Sequence, residues 1–117
     1  MKIIKRGEIW IAEFDPTKGH EQRGTRPAVV ISSDAVNTAV IEMVYVMPGS
    51  TTDRRVPNHV RVEPSQENGL DQVTFFLGEQ MRAVSTHRLK SRIGALTETD
   101  MIEVEDVLIL LLDLGAK

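Results

Sequence analysis

Only one stretch of this chain, residues 97–115, carries apolar residues at helical spacing over several turns. Everything before it breaks into short apolar segments set apart by proline, glycine, asparagine, aspartate and serine. A parallel sheet needs a crossover of about a dozen residues or more between its strands, normally a helix, and no such alternation is present. The pattern therefore predicts a mainly β protein with a C-terminal α-helix. Its short strands are expected to form a small, SH3-like antiparallel barrel or curled sheet. At 117 residues the chain has enough length for one core but not two, so residues 1–117 are read as a single domain.

Alternation of apolar and polar residues over 8–14, with Ile9, Trp10, Ile11 and Phe14, predicts a half-buried first strand that ends at Asp15-Pro16. Trp10 is assigned to the core, and at least one of Phe75 and Phe76 should point inward. Residues 17–25 hold two glycines and several charges without an apolar period, as a surface loop should. Pro27 biases Arg26 toward extended backbone, and the apolar run 28–31 suits a buried strand. A short helical turn is expected over 33–37, then a third strand over 40–47, ended by Pro48-Gly49 and a second loop from Ser50 to Asp53. Further strands are expected over 59–62, 73–77, 81–84 and 93–96, with a turn at 64–69. Thr97, with Asp100 three residues on, reads as a helix N-cap, and Gly115 as the stop. Met101, Val104, Val107, Leu108 and Leu111 make one helical face. Ile102, Ile109, Leu110, Leu112 and Leu114 spread around the rest, which suggests a second buried surface such as a subunit contact.

The longest apolar run, 107–112, is far shorter than the roughly 20 residues of a membrane span, so no membrane association is expected. The N-terminus lacks the apolar core of a signal peptide, which makes the cytoplasm the default location. No cysteine is present, so disulfides, thiolate metal sites and cysteine nucleophiles are excluded. A net charge of −3 argues at first against a nucleic-acid partner. Residues 97–117, however, carry six acidic side chains against Lys117, so the rest of the chain is positive by two. Arg54, Arg55 and Arg61 form one basic cluster there; Arg82, Arg88, Lys90 and Arg92 form another. Taken singly, each is best read as a solvated face.

His20, His59 and His87 lack metal-ligand spacing, and no acidic or cysteine pair supports them, so no metal is expected. Walker A, GxGxxG and GxSxG motifs are absent, and no nucleotide cofactor is implied. What remains at loop and strand ends is Glu21, Gln22, Arg26, Ser50, Thr51, Gln80 and Arg82. Such a set suits metal-free phosphodiester chemistry, in which the 2′-hydroxyl of RNA is the nucleophile and the protein stabilises charge on the phosphorane oxygens. A guanidinium offers a rigid fork of donors matched to phosphate, and a serine or threonine hydroxyl adds another.

The stretch RGEIWIAEFDPTKGHEQRGTRPAVVIS, residues 6–32, resembles the first two strands and intervening loop of the MazF/PemK/Kid toxins. A second region, GEQMRAVSTHRLKSRIGALT, residues 78–97, is similar to the later strands of that family. The resemblance implies a MazF/PemK/CcdB-like fold and a homodimer that cleaves single-stranded mRNA at short sequence motifs. The products would be 2′,3′-cyclic phosphate and 5′-hydroxyl ends, made without any cofactor. It also implies a cognate, MazE-like antitoxin whose flexible acidic tail covers the RNA groove, for which the two basic clusters offer a landing surface.

By the same resemblance the catalytic arginine of the G-x-RP motif falls on Arg26, and the acidic loop residue on Glu21, next to Gln22. The catalytic threonine, two residues after a proline, falls on Ser50, with Thr51 adjacent as the second choice. Gln80 and Arg82 match positions along the RNA path and are assigned, with His20 and Gln22, to substrate binding. A guanidinium already carries its proton and is a poor general base, so Arg26 is given transition-state stabilisation and protonation of the leaving 5′-oxygen. For the base itself Glu21 is the first candidate and His20 the second. Two rival readings share the scaffold: a CcdB-like gyrase poison, disfavoured by the RGTRP motif, and a catalytically silent RNA- or protein-binding module, kept open by serine in place of threonine.

Overall fold

The computed structural model describes residues 2–15, 19–21 and 24–115. Gln22, assigned above to substrate binding, lies outside them. Seven strands and two α-helices follow one another as β1 (Glu8–Glu13), β2 (Thr25–Val30), α1 (Asp34–Asn37), β3 (Met43–Ser50), β4 (His59–Val62), β5 (Thr74–Leu77), β6 (Arg82–Ser85), β7 (Leu89–Ala95) and α2 (Glu98–Leu112). Two single 3₁₀ turns, Gly78–Gln80 and Thr86–Arg88, flank β6. The strand order is β4-β5-β3-β2-β1-β7, with β6 also on β3, and the pairs are antiparallel. The expected mainly antiparallel architecture with a C-terminal helix is what forms.

β3 is the hub. One edge pairs with β2, in register from Val30↔Val46 to Ala28↔Pro48. The other edge is shared: Met43 to Val46 lie against β6, and Gly49 and Ser50 against β5. Sharing one edge between two partners curls the sheet. It also explains why Pro48 does not end the strand as expected. Pro48 falls in the gap where that edge passes from β6 to β5, a place that tolerates a missing backbone donor.

Successive side chains of β1, β2 and β3 feed two different cores. Trp10, Ala12, Phe14, Ala28, Val30, Val44, Val46, Val84 and Leu89 gather on one side. Ile9, Val29, Met47, Val60, Val62, Phe76, Val104 and Val107 gather on the other, beneath α2. With both faces covered, β1 is not the half-buried strand its alternation suggested, and the central strands read as apolar runs for that reason. Trp10 is buried as expected, its indole N–H donating to Glu8 at 3.1 Å, and both Phe75 and Phe76 are buried.

β7 begins at Leu89, well before the expected 93, because Lys90, Ser91 and Arg92 face solvent and two register shifts against β1 break the period. The sheet does not close by strand pairing among the described residues. Its ends meet instead through the turn after β4: the Ala95 N–H donates to the Glu67 carbonyl at 2.9 Å. Gly94 is pressed so near that turn that a Cβ there would lie 2.4 Å from the Glu67 oxygen. The outcome is barrel-like.

The Thr97 side chain accepts from the Asp100 N–H at 3.2 Å and caps α2, with Glu98 and Asp100 in the first turn to favour the helix dipole. The helix stops at Asp113, in the left-handed region at φ 54°, rather than at Gly115; aspartate is one of the few non-glycine residues that enter this region readily. Ile102, Ile109, Leu110, Leu112 and Leu114 remain exposed on this chain. Among the described residues, no helix is long and apolar enough to cross a membrane.

Candidate active site

Ala28 opposite Pro48 fixes the register of β2 on β3, and two further residues along each strand bring Arg26 level with Ser50. Where they meet, β2, β3 and β5 converge on Gly49. A Cβ at that position would come within 2.7 Å of Thr74 Cγ2 and 3.1 Å of the Pro27 carbonyl oxygen. The missing side chain leaves the strands close together and a hollow of about 400 Å³ above them. Gly24, Thr25, Arg26 and Pro27 line one wall; Gly49, Ser50, Thr51 and Thr74 line the other.

Arg26 is half-buried at the start of β2. Ser50 is only 5% exposed, and its hydroxyl oxygen accepts from the Thr52 N–H at 3.2 Å and from Arg54 Nη1 at 3.4 Å. Thr51 is exposed at the rim of the same hollow. The structure thus brings together a guanidinium and two hydroxyls, the donor set that a phosphodiester under attack requires.

The other candidates gather around the first loop instead. That loop is pinned at its base: the Phe14 N–H donates to the Gly24 carbonyl at 2.9 Å, the Gly24 N–H donates to Asp15 at 3.1 Å, and Arg88 donates to the Glu13 and Asp15 carbonyls. Gln80 Nε2 donates to the His20 carbonyl at 3.2 Å, so its amide holds the loop. His20 and Glu21 are exposed. Arg82 lies opposite Val46, its guanidinium carbon 5.8 Å from the Phe14 ring centroid, a cation–π contact. Its Nη1 is buried and has no hydrogen-bond partner among the described residues. None of Glu21, His20, Gln80 and Arg82 lines the hollow beside Arg26 and Ser50.

The basic clusters divide in the same way. Arg92 pairs with Glu8 at 2.6 Å, and Lys90 lies 3.9 Å from Glu13, so much of the second cluster is spent on β1. In the first, Arg61 meets Glu63 at 3.3 Å whereas Arg54 turns back to Ser50. Arg54, Thr25 and Thr74 are the site neighbours that the sequence reading did not single out. Arg54 was visible only as part of a charge cluster; Thr25 stood beside Arg26 as a hint. His59 is buried against Glu79 at 2.9 Å and His87 pairs with Glu42 at 3.3 Å. Among the described residues, no group of three His, Cys, Asp or Glu side chains could hold a metal ion.

A curled antiparallel sheet with one C-terminal helix is an architecture shared with solved toxin structures. The chain is similar to the crystal structure of MazF from Deinococcus radiodurans, with a TM-score of 0.83 and 25% identity over 97% of this chain and 100% of that one. It is also similar to the MazE–MazF complex from Deinococcus radiodurans, with a TM-score of 0.77 and 26% identity over 98% of this chain and 100% of that one. In sequence it is 34% identical to Endoribonuclease MazF of Staphylococcus epidermidis, over 91% of this chain and 88% of the relative. Residues 5–112 match the PemK-like, MazF-like toxin of type II toxin–antitoxin systems, and the chain belongs to that family.

Proposed function

We propose that this protein is an endoribonuclease toxin that cleaves single-stranded mRNA without a metal, and so stops translation in the cytoplasm. The observation that carries this reading is the meeting of Arg26 with Ser50 and Thr51 on one hollow. The RNA 2′-hydroxyl attacks the adjacent phosphorus; its proton passes to a base on the first loop, Glu21 ahead of His20. The bond to the 5′-oxygen breaks, leaving a 2′,3′-cyclic phosphate on one fragment and, once Arg26 has given the leaving oxygen a proton, a 5′-hydroxyl on the other. Arg26 and the Ser50 hydroxyl donate to the phosphorane oxygens as charge builds on them. Gln80, whose amide also holds the first loop, and Arg82 are assigned to binding the RNA.

Residues 1–117 act as one toxin domain. The MazE–MazF complex supports a cognate antitoxin for this chain too, and the exposed apolar residues of α2 support a homodimer. The test is incubation of the purified protein with single-stranded RNA in EDTA and analysis of the new ends, for wild type and Arg26→Ala. Cyclic phosphate and 5′-hydroxyl ends from the wild type alone are expected. Intact RNA beside active controls, or gyrase-dependent DNA breakage, would overturn the reading.

A further inference from the structure

We infer that Arg54 is a positioning residue that makes Ser50 a committed hydrogen-bond donor, and so settles which hydroxyl of the second loop serves the reaction. The inference rests on the endoribonuclease reading. A serine hydroxyl has two lone pairs and one proton. At Ser50 the Thr52 N–H and Arg54 Nη1 both donate to the oxygen, at 3.2 Å and 3.4 Å, which engages both lone pairs. Among the described residues no acceptor takes the Ser50 proton, although the side chain is 95% shielded from solvent and lines the hollow with Arg26. A nearly buried hydroxyl whose oxygen is satisfied and whose proton is not can do one thing: donate to whatever enters the hollow. A phosphate oxygen is an acceptor without a proton of its own, and fits that vacancy.

Thr51 has no such arrangement; its side chain is exposed, where water competes for it. The cation on Arg54 adds to the effect, because a charged donor strengthens the hydroxyl it binds through hydrogen-bond cooperativity. The second loop is folded for this contact. Asp53 accepts from the Arg55 N–H at 2.8 Å, and Arg55 sits in the left-handed region at φ 53°, a tight turn that returns Arg54 toward the residue four places before it.

The test is a double-mutant cycle of Ser50→Ala and Arg54→Ala, read as kcat and KM for single-stranded RNA in EDTA. Arg54→Ala alone is expected to lower kcat by about 10- to 100-fold while changing KM by less than about threefold. In the Ser50→Ala background the same substitution should change kcat by less than about twofold, because the group it positions is already gone. Arg54→Lys, which keeps a charged donor, should recover part of the rate. The same fold-loss in both backgrounds, or a loss confined to KM, would overturn the inference and make Arg54 an independent phosphate attractor. Running the cycle on Kd for a uridine–vanadate complex, which mimics the phosphorane and not the ground state, separates this from the activity itself. Non-additive losses support the positioning role even if the wild type proves not to cleave RNA, and additive losses refute it.

Discussion

Gly49→Ala should break the site from beneath without altering Arg26, Ser50 or Thr51 themselves. The added Cβ would stand 2.7 Å from Thr74 Cγ2, 3.1 Å from the Pro27 carbonyl oxygen and 3.2 Å from Phe76 Cε1. Ordinary carbon contacts begin near 3.5 Å, so each neighbour must retreat by several tenths of an ångström, and these neighbours belong to β5 and β2. Overpacking of this kind costs about 1–3 kcal/mol, or several degrees of Tm for a domain of this size. Catalysis should suffer more than stability. The displaced carbonyl belongs to Pro27, directly after Arg26, and Gly49 directly precedes Ser50. A shift approaching 1 Å between reacting groups costs on the order of 10²-fold in rate.

The assay pairs urea or thermal unfolding with cleavage kinetics in EDTA. Thr74→Ser removes the nearest clashing atom while keeping the hydroxyl. The double variant should therefore recover part of the stability, with the contacts to Pro27 and Phe76 accounting for the remainder. A Gly49→Ala protein as stable and active as wild type, or a double variant no better than the single, would refute the claim that three strands converge here on a missing side chain.

Among the hydroxyls, Ser50→Ala is expected to lower kcat by roughly 10²-fold, and Thr51→Ala by much less; the reverse order would move the catalytic role to Thr51. Thr97→Ala removes the cap of α2 and should cost about 1 kcal/mol in urea unfolding with cleavage unchanged, whereas an unaltered midpoint would deny the cap its role. If the exposed apolar residues of α2 and of the segment just after it join two copies, Leu110→Glu together with Leu114→Glu should leave the circular dichroism spectrum intact and reduce the sedimentation coefficient to that of a monomer. An unchanged coefficient would place the contact elsewhere.

Local chemistry made much of the fold legible. The expected strand over residues 59–62 matches β4, and Thr97 caps α2 through the Asp100 N–H, because each depends on a few adjacent residues. Nonlocal pairing hid the rest. Pro48 looked like a terminator, since nothing nearby shows that the edge of β3 changes partners at that point. The start of β7 was masked by its solvent-facing polar residues and its register shifts. In the site, Arg26 and Ser50 could be named from the resemblance, but their meeting is a matter of strand register. Gln80 was assigned to substrate, yet its amide is engaged with the His20 carbonyl, a contact across 60 positions of sequence. Arg54 was hidden for the opposite reason: it lies only four residues from Ser50, inside a turn whose direction the charge pattern does not reveal.

The two groups that face each other across the hollow both belong to strands: Arg26 lies within β2 and Ser50 ends β3. The segments beside them are not equivalent in what they permit. Among the described residues of the first loop, Gly19, His20 and Glu21 supply no lining to the hollow, so positions of that loop other than the proposed base can diverge and retune substrate preference while the reacting pair stays in place. Arg54 has no such freedom, because its guanidinium, together with the Thr52 backbone N–H, engages the Ser50 hydroxyl oxygen. For an engineer seeking a new cleavage specificity on this scaffold, the first loop outside Glu21 and His20 is the place to diversify, and Arg54 of the second is to be kept with the catalyst.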